Sequence, residues 1–315
     1  MAERLQRPPR LKKGDTIGIV APSTFAFDDA AYRRGVELLE RKAFRVKEGF
    51  SVGLRRHYAA GRDADRARDL EDMFLDPEVH GIVCLIGGSV AARLLDRLDY
   101  AAIARHPKVF TGLSDITHLH LAFVARAAMV SLHHIDLMFG FGGDPANPAT
   151  AYSLELFERV TTQAQAPEEL PAFSRWESWR PGSAQGRLIG GWLPALVDLA
   201  GTPYWPDLDD VILFWEAIDL PLREIDRLLT ALRLSGVFGR VRGMLVGKTP
   251  GCSEPDHPGL RLSDLVAEVT EPYGFPILGE VDFGHVDPNL PLPEGVLARF
   301  STSPPRLELL EPMVT

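Results

Sequence analysis

Ser114, Glu216 and His285 each stand just past an apolar run of this sequence, and together they are the residue types of nucleophilic acyl transfer. Ser114 lies in "KVFTGLSDITHLH" (108–120), where a short apolar run ends in Gly112 and Leu113 and a helical pattern follows with no room for a loop. Such a turn has the form of the Gly-x-Ser nucleophile elbow, with Ile116 in place of the motif's final glycine. It would expose the hydroxyl and set the next amide, that of Asp115, at a helix N-terminus where it can stabilise an oxyanion. The same residues also suit a plain helix N-cap by Ser114 or Asp115. Glu216 closes "VILFWE" and is either a solvated strand end or the acid that orients a histidine. His285, in "VDFGHVDPN", is either an exposed loop residue or the general base that a serine hydroxyl requires. In "LIGGSVAARLL" (85–95), Gly87 and Gly88 bring bare backbone amides to a turn, as a second oxyanion donor or as a phosphate cradle. The pair fits neither Gly-x-Gly-x-x-Gly nor the Walker pattern.

The elements that must carry these residues follow from periodicity. Short apolar runs alternate with amphipathic segments up to about residue 140: strands at 15–22, 81–86 and 108–113, helices at 29–42, 63–75 and 90–98, and a helix after Ser114. This alternation predicts strand and helix units around a buried parallel sheet. Residues 140–186 are rich in Gly, Pro, Ser and Ala and read as linker and surface loops, with one helical piece near 151–161. The pattern then resumes, with helices at 193–200, 222–235 and 261–270 and strands at 211–216, 241–247, 276–281, 296–300 and 306–310. Three units are therefore expected: a domain over 1–145, a linker over 146–185 and a second α/β domain over 186–315. In open α/β sheets ligands bind beyond the carboxyl ends of strands, which gives the three polar residues their weight.

Composition narrows the partners. A net charge of -9 argues against binding nucleic acid, which needs clustered Lys and Arg. No apolar stretch is long enough for a membrane span, and the start "MAERLQRPPRLKKGD" lacks the apolar core of a signal peptide, so a cytoplasmic protein is expected. The two cysteines, Cys84 and Cys252, cannot form a disulfide framework. His118 and His120 are two apart on a helix and His133 and His134 are adjacent; neither is the spacing of a helical metal site, and no metal or cofactor is expected.

Several segments in a fixed order resemble the LD-carboxypeptidase family of serine peptidases, which includes the microcin C immunity peptidases. They are "LKKGDTIGIVAPS", "GRDADRARDLEDMFLDPEVHGIVCLIGG", "LDYAAIARHPKVFTGLSDITHLH", "GRLIGG", "GTPYWPDLDDVILFWEAID", "IDRLLTALRLSGVF" and "GHVDPNLPLPEGV". The resemblance implies an N-terminal Rossmann-like parallel-sheet domain plus a smaller C-terminal α/β domain, with the active site at their interface and a homodimer as the usual assembly. It puts the family's Ser-Glu-His triad on Ser114, Glu216 and His285, and its oxyanion donors on the backbone of Asp115 and of the glycine pair, Gly88 foremost. Family members cleave a terminal amide of a murein peptide, between an L-centre and a D-amino acid, or an amide in a peptidyl- or aminoacyl-nucleotide. The implied partner is thus a small peptide or peptidyl-nucleotide.

Departures from the family pattern bear on the substrate. Leu113 replaces the usual tyrosine, Ala217 replaces an acid after the glutamate, Gly190-Gly191-Trp192 replaces Gly-Gly-Asn, and "HHID" (133–136) replaces His-Gly-Pro. Gly87, Leu113 and Trp192 are accordingly expected to contact substrate. "LIGGS", without the arginine of murein enzymes, leans toward the immunity branch, as do Trp176 and Trp179, which would stack on a base or else anchor loops. Two other readings stand beside the hydrolase: a catalytically silent binding protein for a peptide or nucleotide, and a nucleotide-binding enzyme using the glycine pair.

Overall fold

Strands that are apolar on both faces need a sheet covered on both sides, and the computed structural model, which describes residues 5–166 and 168–315, contains two such sheets. In chain order the first half gives β1 (Thr16–Val20), α1 (Asp29–Arg41), β2 (Arg45–Glu48), α2 (Asp63–Leu75), β3 (Val79–Cys84), α3 (Tyr100–Arg105), β4 (Val109–Gly112), α4 (Thr117–Ala127), β5 (Ser131–His133) and α5 (Pro148–Thr162). There follow β6 (Glu168–Glu169), β7 (Glu177–Arg180), β8 (Ser183–Trp192), α6 (Leu193–Leu199), β9 (Val211–Glu216), α7 (Leu222–Leu234), β10 (Val241–Gly247), α8 (Leu262–Val269), β11 (Ile277–Val281), β12 (Leu292–Glu294), β13 (Leu297–Thr302) and β14 (Pro305–Leu309).

The first sheet has the order β12-β5-β4-β3-β1-β2; its five N-terminal strands run parallel, and β12, from near the end of the chain, pairs antiparallel with β5. The second sheet is the wider, with eight strands in the order β6-β14-β13-β8-β9-β10-β11-β7. Its parallel centre, β8 to β11, is flanked by antiparallel strands. Alternation along β9 shows how the cores form: Leu213 and Trp215 enter one buried cluster, Ile212 and Phe214 the other. The first cluster also holds Phe74, Phe110 and Phe123, and the second Ile17, Ile19 and Val83, so both hydrophobic cores run across both sheets. Among the described residues no helix is long and apolar enough to cross a membrane.

The sequence expectations meet several corrections. The helix expected over 90–98 is a single 3-10 turn, Ala91–Leu94, and the true helix starts at Tyr100, where Asp99 caps it through Ala102 N at 2.9 Å. The stretch 146–185 is no plain linker: α5 buries Leu154, Leu156, Phe157 and Val160, and β7 pairs with β11. The strand β8 begins inside that stretch, its glycines masking it in the sequence; a Cβ on Gly190 would collide with the carbonyl oxygen of Phe214 on β9. Likewise β12 makes the last third of the chain contribute to the first sheet, a pairing that periodicity cannot foresee.

The clearest expected helix is also the clearest observed one. On α7, Ile225, Leu228, Leu229 and Leu232 are buried, while Leu234 is 79% exposed. Leu229→Ala should cost about 2 to 5 kcal/mol of unfolding free energy in urea titration, by lost burial and the cavity left behind. Leu234→Ala should stay within about 0.5 kcal/mol of the parent; equal costs at the two sites would contradict the burial pattern.

Candidate active site

The turn after β4 is held in an unusual backbone conformation. Ser114 has φ +65°, a left-handed value that a residue with a side chain adopts only when its surroundings enforce it. An N-cap residue would instead be extended, and no side chain caps either the 3-10 turn Ser114–Ile116 or α4. The serine hydroxyl is therefore not spent on a helix end. Gly87 lies directly against it: a Cβ there would come within 2.7 Å of Ser114 Cβ and 3.1 Å of its Oγ. Gly88, at φ +150°, packs on Ser23 and Thr24, where only glycine fits.

The turn is tied down by the side chain of Asp115, which the sequence offered as an oxyanion amide or a helix cap. Its buried carboxylate accepts from the amides of Val90 (2.7 Å) and Ala91 (2.8 Å) and from the hydroxyl of Ser23, so it ties the serine turn to the glycine loop after β3 and to the loop after β1. His118, one turn along, puts Nδ1 3.0 Å from Asp115 Oδ1 and Nε2 3.2 Å from Asp198 on α6. Burial opposes charge on both partners. Mutual attraction and hydrogen bonding outweigh it, lowering the Asp115 pKa and pushing that of His118 up to about 9. At the other end of the turn, the carbonyl of Gly112 receives His120 Nε2 (3.0 Å) and the amide of His134 (3.1 Å). Burial lowers His120 and His134 to about 4, so both are neutral structural donors.

Glu216 and His285 meet at the ends of two strands of the second sheet. Glu216, the last residue of β9, is fully buried, and its Oε2 accepts from His285 Nδ1 at 2.7 Å. The other oxygen, Oε1, has no partner among the described residues. The approach requires Gly284, whose φ is +111° and whose Cβ, were there one, would lie 2.8 Å from Glu216 Cβ. Asn289 secures that loop by donating Nδ2 to the Gly284 carbonyl at 2.7 Å. Burial disfavours a charged imidazole, but the Glu216 carboxylate outweighs it, and the His285 pKa is raised above its ordinary 6.5.

A cavity of about 300 Å³ is lined by Leu113, the residue before the serine, and by Gly284 and His285. Of the "HHID" departure, Ile135 and Asp136 line this cavity, whereas His133 and His134 are buried behind it. The tryptophans go elsewhere. Trp176 is buried, with Nε1 donated to Asp282 at 2.7 Å, and so anchors its loop instead of offering a stacking face. Trp179 packs over Gly279 on an edge strand, outside the cavity lining. Trp192 stands in register with Glu216 on the neighbouring strand, its amide bound to Thr117 Oγ1 at 3.0 Å, and is likewise not among the lining residues. The expected substrate contacts of these three indoles are therefore not made at this cavity. The clasp made by Asp115's carboxylate is what sequence reasoning missed; the only local signal was an acid beside Ser114.

The His118 pair has a measurable consequence. With its pKa in the folded protein near 9, against 6.5 ordinarily, its stabilisation is complete below about pH 6.5 and is lost as pH rises through about 9. The urea midpoint of the parent protein should fall over that interval, and His118→Gln should remove this part of the fall. Parallel profiles for the two proteins would show that the pair contributes nothing.

Comparison with known proteins identifies the family and the fold. Residues 17–134 match the model of the LD-carboxypeptidase N-terminal domain and residues 185–300 that of the LD-carboxypeptidase C-terminal domain. A probable murein peptide carboxypeptidase of Bacillus subtilis is 33% identical over 94% of this chain and 92% of its own. The microcin C7 self-immunity protein MccF of Escherichia coli is 30% identical over 91% and 90%. The solved structure of MccF in complex with aspartyl sulfamoyl adenosine superposes with a TM-score of 0.92 at 27% identity, covering 98% of this chain and 100% of that one. A two-domain match in sequence, a shared fold and a serine held at a strained strand end together place this chain in the LD-carboxypeptidase family of serine peptidases.

Proposed function

We propose that Ser114, Glu216 and His285 form the triad of this serine carboxypeptidase and that it hydrolyses the terminal amide of a small peptide or aminoacyl-nucleotide. The observation that carries the reading is the His285–Glu216 pair on a cavity that Leu113, the residue before the positive-φ Ser114, also lines. With Nδ1 committed to Glu216, His285 has Nε2 free to take the serine proton as Oγ attacks the carbonyl carbon. The amides of Asp115 and of the Gly87-Gly88 loop receive the developing oxyanion, and Glu216 stabilises the imidazolium. His285 then returns the proton to the departing amine, and water, deprotonated by the same imidazole, releases the acyl group from Ser114. The relatives named for murein peptide and the neighbour that binds aspartyl sulfamoyl adenosine supply the two substrate classes. Two free thiols, one of them buried, suit a reducing compartment and hence the cytoplasm. A homodimer rests on the family resemblance alone.

Ser114→Ala should keep the fold, read by thermal melting, and lower hydrolysis of a murein tetrapeptide or an aminoacyl-sulfamoyl adenosine about 10³-fold or more. Near-parental turnover would overturn the assignment. Because a general base must be neutral and the pKa of His285 is raised, kcat/KM should climb with pH to a midpoint above 6.5. Glu216→Gln, lacking the charge that raises it, should move that midpoint down; an unmoved midpoint would detach Glu216 from the imidazole.

A further inference from the structure

The loop that leads into α2 gathers cations that its acids do not match. A cavity of about 170 Å³, separate from the one at His285, is lined by Arg56, Arg62 and Arg93, by His57 and Tyr58, and by a single acid, Asp63. In a protein of net charge -9 this is a local reversal of sign. Among the described residues, no hydrogen bond or ion pair engages the guanidinium of Arg56 or of Arg62; Arg62 offers only its amide, 3.4 Å from Asp65 Oδ2. Arg93 lies 3.9 Å from Asp63. That carboxylate is already held at 2.5 Å by Arg66, an unexposed side chain that also donates to the carbonyls of Pro22 and Val90. Arg66 thus takes up the one countercharge of the lining. Neighbouring Arg55, by contrast, is spent on the Ala26 carbonyl at 2.9 Å and on the ring of Phe25.

The free arginines stand on fixed backbone. Arg56 and Ala59 exchange hydrogen bonds of 2.8 and 3.0 Å around a turn in which His57 has φ +55°. Ala60 N bonds Ser23 O at 3.0 Å and Thr24 Oγ1 bonds Tyr58 O at 2.7 Å, tying this turn to the loop after β1. Arg93 belongs to the 3-10 turn Ala91–Leu94, whose first amide is held by Asp115. Guanidiniums fixed near one another repel, and an anion between them removes that repulsion. Convergent arginine forks suit the several oxygens and double charge of a phosphate better than a single carboxylate. The cavity falls short of the roughly 300 to 1,000 Å³ of pockets for whole small molecules, which points to a compact anion.

We propose that Arg56, Arg62 and Arg93 form a phosphate-binding site beside the glycine loop, for free phosphate or for the phosphate of a nucleotide-bearing substrate. Thr24 connects the two places, its amide donating to the Gly87 carbonyl at 3.2 Å and its hydroxyl to Tyr58. Binding is independent of the amidase reading; only use of the site by a substrate phosphate rests on it.

Calorimetry at constant ionic strength and about pH 8, above the second pKa of phosphate, would titrate the parent protein with orthophosphate and with acetate. Orthophosphate should bind once per chain, about tenfold or more tighter than acetate. The three arginines are exposed, so their variants should fold, as circular dichroism would check. Arg62→Ala and Arg93→Ala should each weaken phosphate binding about tenfold or more, as loss of a charge-assisted hydrogen bond implies. Arg306→Ala, which removes an exposed arginine of β14, should leave it within about twofold. The two sources separate on Ser114→Ala. A substrate phosphate requires adenosine monophosphate to bind about tenfold or more tighter than adenosine, with the difference lost on adding Arg62→Ala; equal binding of the two leaves free phosphate as the occupant. No saturable binding of orthophosphate, equal affinity for acetate, an affinity that survives Arg62→Ala and Arg93→Ala, or one that falls as far with Arg306→Ala would each overturn the proposal. If phosphate binds as expected but the protein with Ser114 intact cleaves no amide, the amidase reading fails and the site stands.

Discussion

One buried carboxylate, that of Asp115, holds together the carboxyl ends of the first sheet's central strands. It is the common acceptor for two amides of the glycine loop and a hydroxyl from the loop after β1, and it fixes the turn in which Ser114 takes a left-handed backbone. A carboxylate so placed is stable only if its lone pairs and charge are met. Three neutral donors meet the first need and His118 meets the second. His118 in turn reaches Asp198 on α6, so the compensation extends from the helix behind the serine to the helix that follows β8. Since Asp198 is largely exposed, most of the effect comes from the inner partner.

The second sheet solves the matching problem with glycine. Glu216 is the end of a strand buried on both faces, and its contact with His285 depends on a loop that approaches closer than any Cβ would allow at Gly284. The same device recurs where the two sheets meet. Gly191 sits at φ +128°, where a Cβ would lie 2.5 Å from Thr117 Oγ1, in the first turn of the helix that follows Ser114. Close backbone approach at these points, and two hydrophobic cores shared by both sheets, bring Leu113 from the strand end of one sheet and His285 from the other onto one cavity. Rigid framing of this kind is what the proposed acyl transfer would need, since catalysis by orientation requires fixed groups.

Legibility in the sequence followed the range of the interactions. Strands with runs such as "VILFWE" and helices with a strong stripe, such as α7, were readable because their burial pattern is local. Glycine-rich β8, the exposed edge strand β2 and the three-residue strands β5 and β12 were not, because long-range pairing makes them strands. Ser114, Glu216 and His285 were singled out by a positional rule, that ligands gather at strand ends. For Trp176 and Trp179 both readings stayed open, because an indole in a polar segment looks the same whether it awaits a ligand or, like Trp176, gives its N–H to a buried acid such as Asp282.

By itself the sequence determined the alternation of strands and helices, the polar residues at strand ends and the family, since these lie in local periodicity and ordered motifs. Only the tertiary structure decided that Ser114 is no helix cap, that the Asp115 carboxylate is the clasp of the turn, and that Asp136, not the histidine pair before it, faces the cavity. The reason is physical: a backbone angle, a buried charge and the direction of a side chain are set by atoms distant in sequence, and no local pattern encodes which of them will be near.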